Sequence, residues 1–220
     1  MGMSDGFSVE DLENITAPLD DAERWVISTY AMWSEYYSEG NWQYIAGSSV
    51  KEETASQMQV MLSRDWEIDD KEDLMDTIMF LTALYEDEDD VEPEDIETGA
   101  WDLCRACQIL GMAFVAGMIS REEMMGVSLM VGSLMQCYYP SWLDLYSSYL
   151  KGYKEWRLED EDDEEAQEDV EEREQIVRRL LIMPNGPCSV PWNLELPIEF
   201  EEDDEEYEED EDDEEYEDEE

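Results

Sequence analysis

The chain has 220 residues, of which 64 are Asp or Glu, 12 are Lys or Arg and none is His, for a formal net charge of −52. That charge excludes direct binding to nucleic-acid phosphates or to an anionic membrane as a default mode. The missing imidazole excludes Ser–His and Cys–His hydrolases and histidine-ligated metal centres.

At 42% hydrophobic the chain still has material for a packed core, enough for one domain and short for two. The first ten residues carry neither the basic nor the apolar stretch of a signal peptide. Four cysteines without an export signal fit reduced thiols, so a cytoplasmic location is expected. The most apolar stretches, 109–119 and 124–135, are each too short to span a bilayer.

Helical periodicity dominates. Asp20 and Glu23 have capping-box spacing, and Trp25, Thr29, Met32 and Tyr36 follow on one stripe. Gly40-Asn41 and Gly47 mark a break. Ser49 with Glu52 predicts a second start, with Ala55, Met58 and Leu62 inward. Asp69 with Glu72 predicts a third, with Leu74, Ile78 and Leu81 inward. An acidic loop over Glu86–Glu97 is expected next, since Pro93 disfavours a continuing helix.

Thr98 is the expected cap of a helix from Trp101 to about Met118, with Gly117 near its end. Ser120 with Glu123 opens a Met-rich helix to about Cys137, and Tyr138-Tyr139-Pro140 stops it. Ser141 caps Trp142 to about Arg157, with Leu145, Tyr149 and Tyr153 on one side. After acidic Glu159–Glu172, a helix is expected over Arg173–Met183, with Arg173, Arg178 and Arg179 pairing to the acids upstream. From Pro184 the repeated prolines forbid regular helix and predict an extended segment that tucks in Trp192. Gly111, Gly117, Gly126 and Gly132, each costly inside a helix, predict close backbone approach between two consecutive central helices.

The predicted fold is all-α: a single compact domain of about six to seven helices over residues 1–198. Acidic insertions interrupt it at 86–97 and 159–172, and an acidic disordered tail follows at 199–220.

The stretch from Ala100 to Arg157 resembles a bacterial family known as domain of unknown function 1266. Four motifs carry the likeness: Ala100-Trp101-Asp102 with Arg105, Ala116-Gly117 through Glu123, Ser141-Trp142, and Tyr149-Leu150 with Gly152 and Trp156. Asp65-Trp66 and Pro191-Trp192 extend it, giving a family-like core of about 54–196. Cys104 stands where the family has Gly, and Gly186-Pro187-Cys188 where Ser-Pro-Trp is usual. The resemblance implies an all-helical domain of bacterial origin with no established enzymatic activity. For some relatives it implies a place beside secreted antibacterial toxins.

Among candidate sites, Asp102 and Arg105 sit at i and i+3 and form, with Trp101, either a structural corner or a binding corner. The structural reading is favoured, with Trp142 and Trp156 as further members. An Arg-neutralised carboxylate is also a poor general base at neutral pH. Cys104 and Cys107 form a CxxC, joined by Cys137 and Cys188; buried free thiols are favoured over a zinc site, because no second CxxC follows. Phosphate-cradling GxxxxGK[ST] and GxGxxG patterns are missing from the sequence. No catalytic residue, cofactor or metal is assigned.

The three acidic runs hold 9, 11 and 18 carboxylates and no Lys or Arg. Extended at roughly 3.3–3.6 Å per residue, the last run carries about one charge per 4 Å, close to a nucleic-acid strand at about 3.4 Å per phosphate. The residues expected to meet a cationic partner are Glu86, Asp87, Glu88, Asp89 and Asp90 in the first run, and Asp160, Asp162 and Asp163 in the second. In the tail they are Asp203, Asp204, Tyr207, Asp212, Asp213 and Tyr216. A tail that only confers solubility is the plainer reading.

The function expected is a non-catalytic acidic protein that binds a basic protein. Its most concrete form is an immunity-type inhibitor blocking the cleft of a cationic toxin domain, a nuclease or a translation-targeting enzyme. The alternatives are a promiscuous chaperone-like holder or nucleic-acid mimic and, further off, an uncharacterised enzyme.

Overall fold

A helix that is apolar on every side has to lie inside the fold, and Ile109–Ala116 is a run of that kind: each of its residues is buried. In the computed structural model, which describes residues 18–38, 41–85, 91–158 and 164–198, this run ends the central helix. Eight α-helices are described, with no strand among the described residues: α1 Asp21–Thr29, α2 Ala31–Ser38, α3 Glu52–Trp66, α4 Lys71–Thr82, α5 Pro93–Val115, α6 Arg121–Tyr138, α7 Trp142–Arg157 and α8 Glu164–Ile182. Helix α5 is the hub. It packs against α1, α3, α4, α6 and α7, and α8 closes over α2 and α7. The all-α, single-domain expectation holds, with one or two more helices than expected.

The extra helix comes from a break at Tyr30, where φ −117° and ψ 18° end α1 before α2 begins. The expected stripe survives the break: Trp25, Thr29 and Met32 are fully buried and Tyr36 half-buried. Asp20 and Glu23 form their reciprocal box, each accepting from the other's N–H at 2.8 Å. Ser120 and Glu123 form another. Lys71 of α4 bonds the same Glu123 carboxylate; with the Ser120 amide and hydroxyl it holds that carboxyl down at about 2.

Other starts shift. Helix α4 is capped by Asp70, not Asp69; its side chain accepts from the Glu72 and Asp73 amides. Helix α3 begins at Glu52, where Thr54 Oγ1 accepts from Lys51 N at 2.9 Å, so Ser49 gives no side-chain cap. Two corrections concern the acidic runs. Helix α5 starts at Pro93, so Glu94, Asp95 and Glu97 are helical and Thr98 is interior. Proline suits the first helical position, where no N–H bond is lost, and acids there oppose the positive end of the helix dipole. By the same logic α8 starts at Glu164, nine residues before Arg173, and Ala166 and Val170 extend its buried stripe.

The glycines also differ from expectation. Gly117, at φ 76°, ends α5 in a left-handed turn, with Met118 N bonded to Ala113 O and Gly117 N to Phe114 O, both at 2.9 Å. Gly111 faces the Tyr30 ring, Gly132 faces Trp25 and Leu196, and Gly126 faces open space. Helices α5 and α7 approach closely at Gly152. A Cβ there would lie 2.5 Å from Thr98 O and 2.7 Å from Trp101 Cβ. Beside it Ser148 Oγ bonds Ile96 O at 2.8 Å and Ala100 N at 3.2 Å, pinning α7 to one turn of α5.

Residues 184–198 form the expected strap, but it is extended only from Val190 on, after a turn at 184–186 and a single 3-10 turn at Pro187–Ser189. Trp192, Leu194, Leu196 and Ile198 turn inward in alternation with exposed Pro191, Asn193, Glu195 and Pro197. Side chains of the helices hold its backbone. Trp25 Nε1 donates to Trp192 O at 3.0 Å, Gln136 Nε2 to the same oxygen at 2.7 Å, and Trp142 Nε1 to Val190 O at 2.8 Å.

Candidate partner-binding surface

Of the acidic residues expected to meet a partner, Glu86, Asp87, Glu88, Asp89, Asp90, Asp160, Asp162, Asp163, Asp203, Asp204, Tyr207, Asp212, Asp213 and Tyr216 all lie outside the described residues. What the described residues supply is a set of aromatic clusters and a system of ion pairs.

The Trp101 corner forms. Arg105 is hydrogen-bonded to Asp102, and its guanidinium lies 4.5 Å from the Trp101 ring centre and 5.3 Å from that of Trp66. Trp101 meets Tyr149 and Tyr153 edge-on at 5.1 and 5.2 Å, and Trp156 at 5.8 Å. The result is a stack of Trp66, Arg105, Trp101 and Trp156 that ends on Trp156, 56% exposed. Trp142 does not join it. It sits at the other end of α7, about 21 Å away at 1.5 Å per residue, in a second cluster with Trp25 at 5.2 Å and Trp192 at 4.8 Å. Position in one helix is no guide to which cluster a tryptophan enters when the helix is 16 residues long.

A third cluster had no sequence signal beyond a lone arginine in an apolar stripe. Arg173 is 5% exposed and turns inward. Its guanidinium lies 4.2 Å from the ring centres of both Tyr36 and Tyr153, and its Nη1 is 3.4 Å from Tyr149 Oη. No ion pair of Arg173 with a carboxylate is found among the described residues. Its neighbours divide: Arg178 pairs with Glu174 one turn upstream, whereas Arg179 reaches across to Glu35 of α2 at 2.7 Å.

The CxxC thiols are interior. Cys104 and Cys107 are buried on α5, and burial raises both, Cys107 to about 12. Cys188, half-buried on the strap, is likewise pushed up to about 12, whereas Cys137 is exposed. Among the described residues no three Cys, Asp or Glu side chains converge where a metal ion could sit. A cleft of about 480 Å³ opens between α1 and the strap, lined by Arg24, Trp42, Gln43, Asn185 and Ser189 among others. A more open hollow of about 720 Å³ lies beside α3, against Gln59, Arg64 and Met118. No described helix is long and apolar enough to cross a membrane.

A family model described as "Protein of unknown function (DUF1266)" matches residues 82–197, more than half of the chain. The chain belongs to this family. No curated protein and no solved structure matches the chain. The DUF1266 match spans α5 to α8 and most of the strap, and so contains Trp101, Asp102, Arg105, Trp142, Trp156, Arg173 and Trp192. It begins at Thr82, not near Thr54, so Asp65-Trp66 stands outside it. Trp25 and Trp66, which complete two of the aromatic clusters, are thus brought by helices that precede the DUF1266 stretch.

Proposed function

We propose that the protein is a non-catalytic acidic binding protein whose partner is a basic protein. The most concrete form is an immunity-type inhibitor that covers the active cleft of a cationic toxin domain, a nuclease or an enzyme acting on the translation machinery. The observation that carries this reading is the disposition of charge. All 12 Lys and Arg side chains lie among the described residues, and nine of them are held by a carboxylate of the same chain. Arg173 is enclosed by tyrosines.

Most of the cations are thus engaged within the chain, and most carboxylates of the described residues face solvent. A surface of one sign steers an opposite partner, raising association rates roughly 10–1,000-fold at low ionic strength. In this reading the folded surface gives specificity and the acidic runs give long-range attraction.

Affinity purification of the full chain at moderate salt from its source organism tests the reading. The expected result is one basic protein, released steeply as salt rises. Many weakly held cationic proteins would point to the promiscuous holder instead. A single neutral or acidic partner, indifferent to salt, would overturn the reading. Truncation after Ile198 then separates a binding tail from a solubility tail through the salt slope.

A further inference from the structure

Helix α4 buries one face and leaves the other bare. Leu74, Ile78 and Leu81 point inward, with Tyr85 continuing the line, and α4 packs principally on α5 and on the turn that follows it, Ala83–Tyr85. On the opposite side Glu72, Asp76, Phe80 and Leu84 fall four residues apart, with Met79 and Ala83 beside them. All six are exposed. Phe80 is 79% accessible, Met79 53% and Leu84 41%. The outer face is thus acidic over its first two turns and apolar over its last. Lys71, the only cation on this helix, is bonded to Glu123 of α6.

Single exposed apolar residues are ordinary, but three large ones close together on a face that no other described helix covers mark an interaction surface. Charge says what kind. A second copy would bring two chains of −52 together, and an anionic membrane or a nucleic acid would meet the same repulsion. We propose that the outer face of α4 is the docking surface for a basic amphipathic segment of a partner protein. An apolar side chain would seat against Met79, Phe80 and Leu84. A Lys or Arg one to two helical turns away, about 5–11 Å, would meet Asp76 and Glu72. Glu72, Asp76, Met79 and Phe80 lie before the stretch that the family model matches, and Ala83 and Leu84 lie just inside it. The inference rests on the reading of the protein as a binder of basic partners and assigns that partner's contact.

The test uses the full chain and two synthetic 18-residue peptides of equal positive charge. One is an amphipathic helix with Leu and Phe on one face and Lys and Arg on the other; the second is a Lys/Gly/Ser peptide without apolar residues. Binding is measured by fluorescence anisotropy at low and moderate salt. The amphipathic peptide is expected to bind the wild-type chain, and Phe80→Ser to weaken it by about 10-fold or more, as for a central apolar anchor. Phe80→Leu should keep most of the affinity, and Asp76→Asn should make the salt dependence shallower. Circular dichroism checks that each variant is folded, which exposure of these positions favours.

Equal binding of the amphipathic peptide to wild type and Phe80→Ser overturns the surface while leaving an acidic binder in place. Failure of both peptides to bind wild type removes the binder reading itself. Sedimentation that shows a wild-type dimer dissolved by Phe80→Ser would make the face a contact between copies. Binding that emerges only when residues 1–17 are deleted would make it the seat of the chain's own N-terminal segment. Either result overturns the proposal.

Discussion

Two glycines of similar appearance in the sequence do opposite things. Gly152, in α7, stands where a Cβ would collide with Thr98 O and Trp101 Cβ, one a backbone atom and the other the fixed base of a packed indole. Neither gives way cheaply. Gly126, in α6, is exposed and faces open space, so it contributes only the conformational cost of glycine in a helix. Gly152→Ala is expected to lower unfolding free energy by about 1–3 kcal/mol, the range for overpacking. Gly126→Ala should raise it by about 0.5–1 kcal/mol through the loss of unfolded-state freedom. Urea unfolding followed by circular dichroism measures both, and shifts of the same sign would sink the account of α5–α7 contact. Spacing in a single sequence shows that a glycine sits inside a helix, not what faces it. That is why Gly126 drew the same expectation as residues that touch neighbours.

Among the elements, the inward stripes were legible and the starts of two helices were not. Ala55, Met58 and Leu62, then Leu74, Ile78 and Leu81, then Leu145, Tyr149 and Tyr153 are buried as their spacing predicts. Burial of a stripe is a local property of 3.6-residue periodicity. Helices α5 and α8 begin inside acidic runs, where the same carboxylates that disfavour a packed core favour the first turn of a helix; composition alone cannot separate these effects. The pairing of Trp142 with Trp25 and Trp192, and of Arg173 with Tyr36 and Tyr153, depends on helix packing and leaves no mark at fixed spacing. The proline-rich strap was legible because proline forbids the alternatives, and its anchorage can be tested. Trp192 is half-buried and packs against two other indoles, one of them edge-on, whereas Trp156 ends its cluster in solvent. Trp192→Ala should cost about 2–3 kcal/mol, below the range of a fully enclosed tryptophan, with loss of near-ultraviolet dichroism. Trp156→Ala should cost about 1 kcal/mol or less. Equal costs would mean that the backbone bonds from Trp25 and Gln136 hold the strap without the indole.

For the molecule as a whole, two electrostatic effects of salt oppose each other. Screening weakens the nine ion pairs found among the described residues, and it weakens the mutual repulsion behind a net charge of −52. Many of the paired side chains are substantially exposed, as in Lys151–Glu97 and Arg24–Asp21. Such pairs contribute about 1 kcal/mol each at most, and often nothing measurable. The repulsion acts across the whole surface and grows with the square of the charge, so it dominates. Raising NaCl from about 20 to 300 mM, across the range where the Debye length falls through about 10 Å, should therefore stabilise the free protein. At about 2–4 °C per kcal/mol for a chain of this size, a gain of about 1–2 kcal/mol corresponds to a rise in Tm of about 2–8 °C. Most of it should appear by about 150 mM, and KCl should act as NaCl does. Calorimetry of the full chain checks this, and a Tm that falls with salt would show that the ion pairs outweigh the repulsion. The same screening would weaken capture of the basic partner proposed above. Salt should thus move folding stability and partner affinity in opposite directions, a sign pattern expected when the excess charge serves association at a cost to the fold.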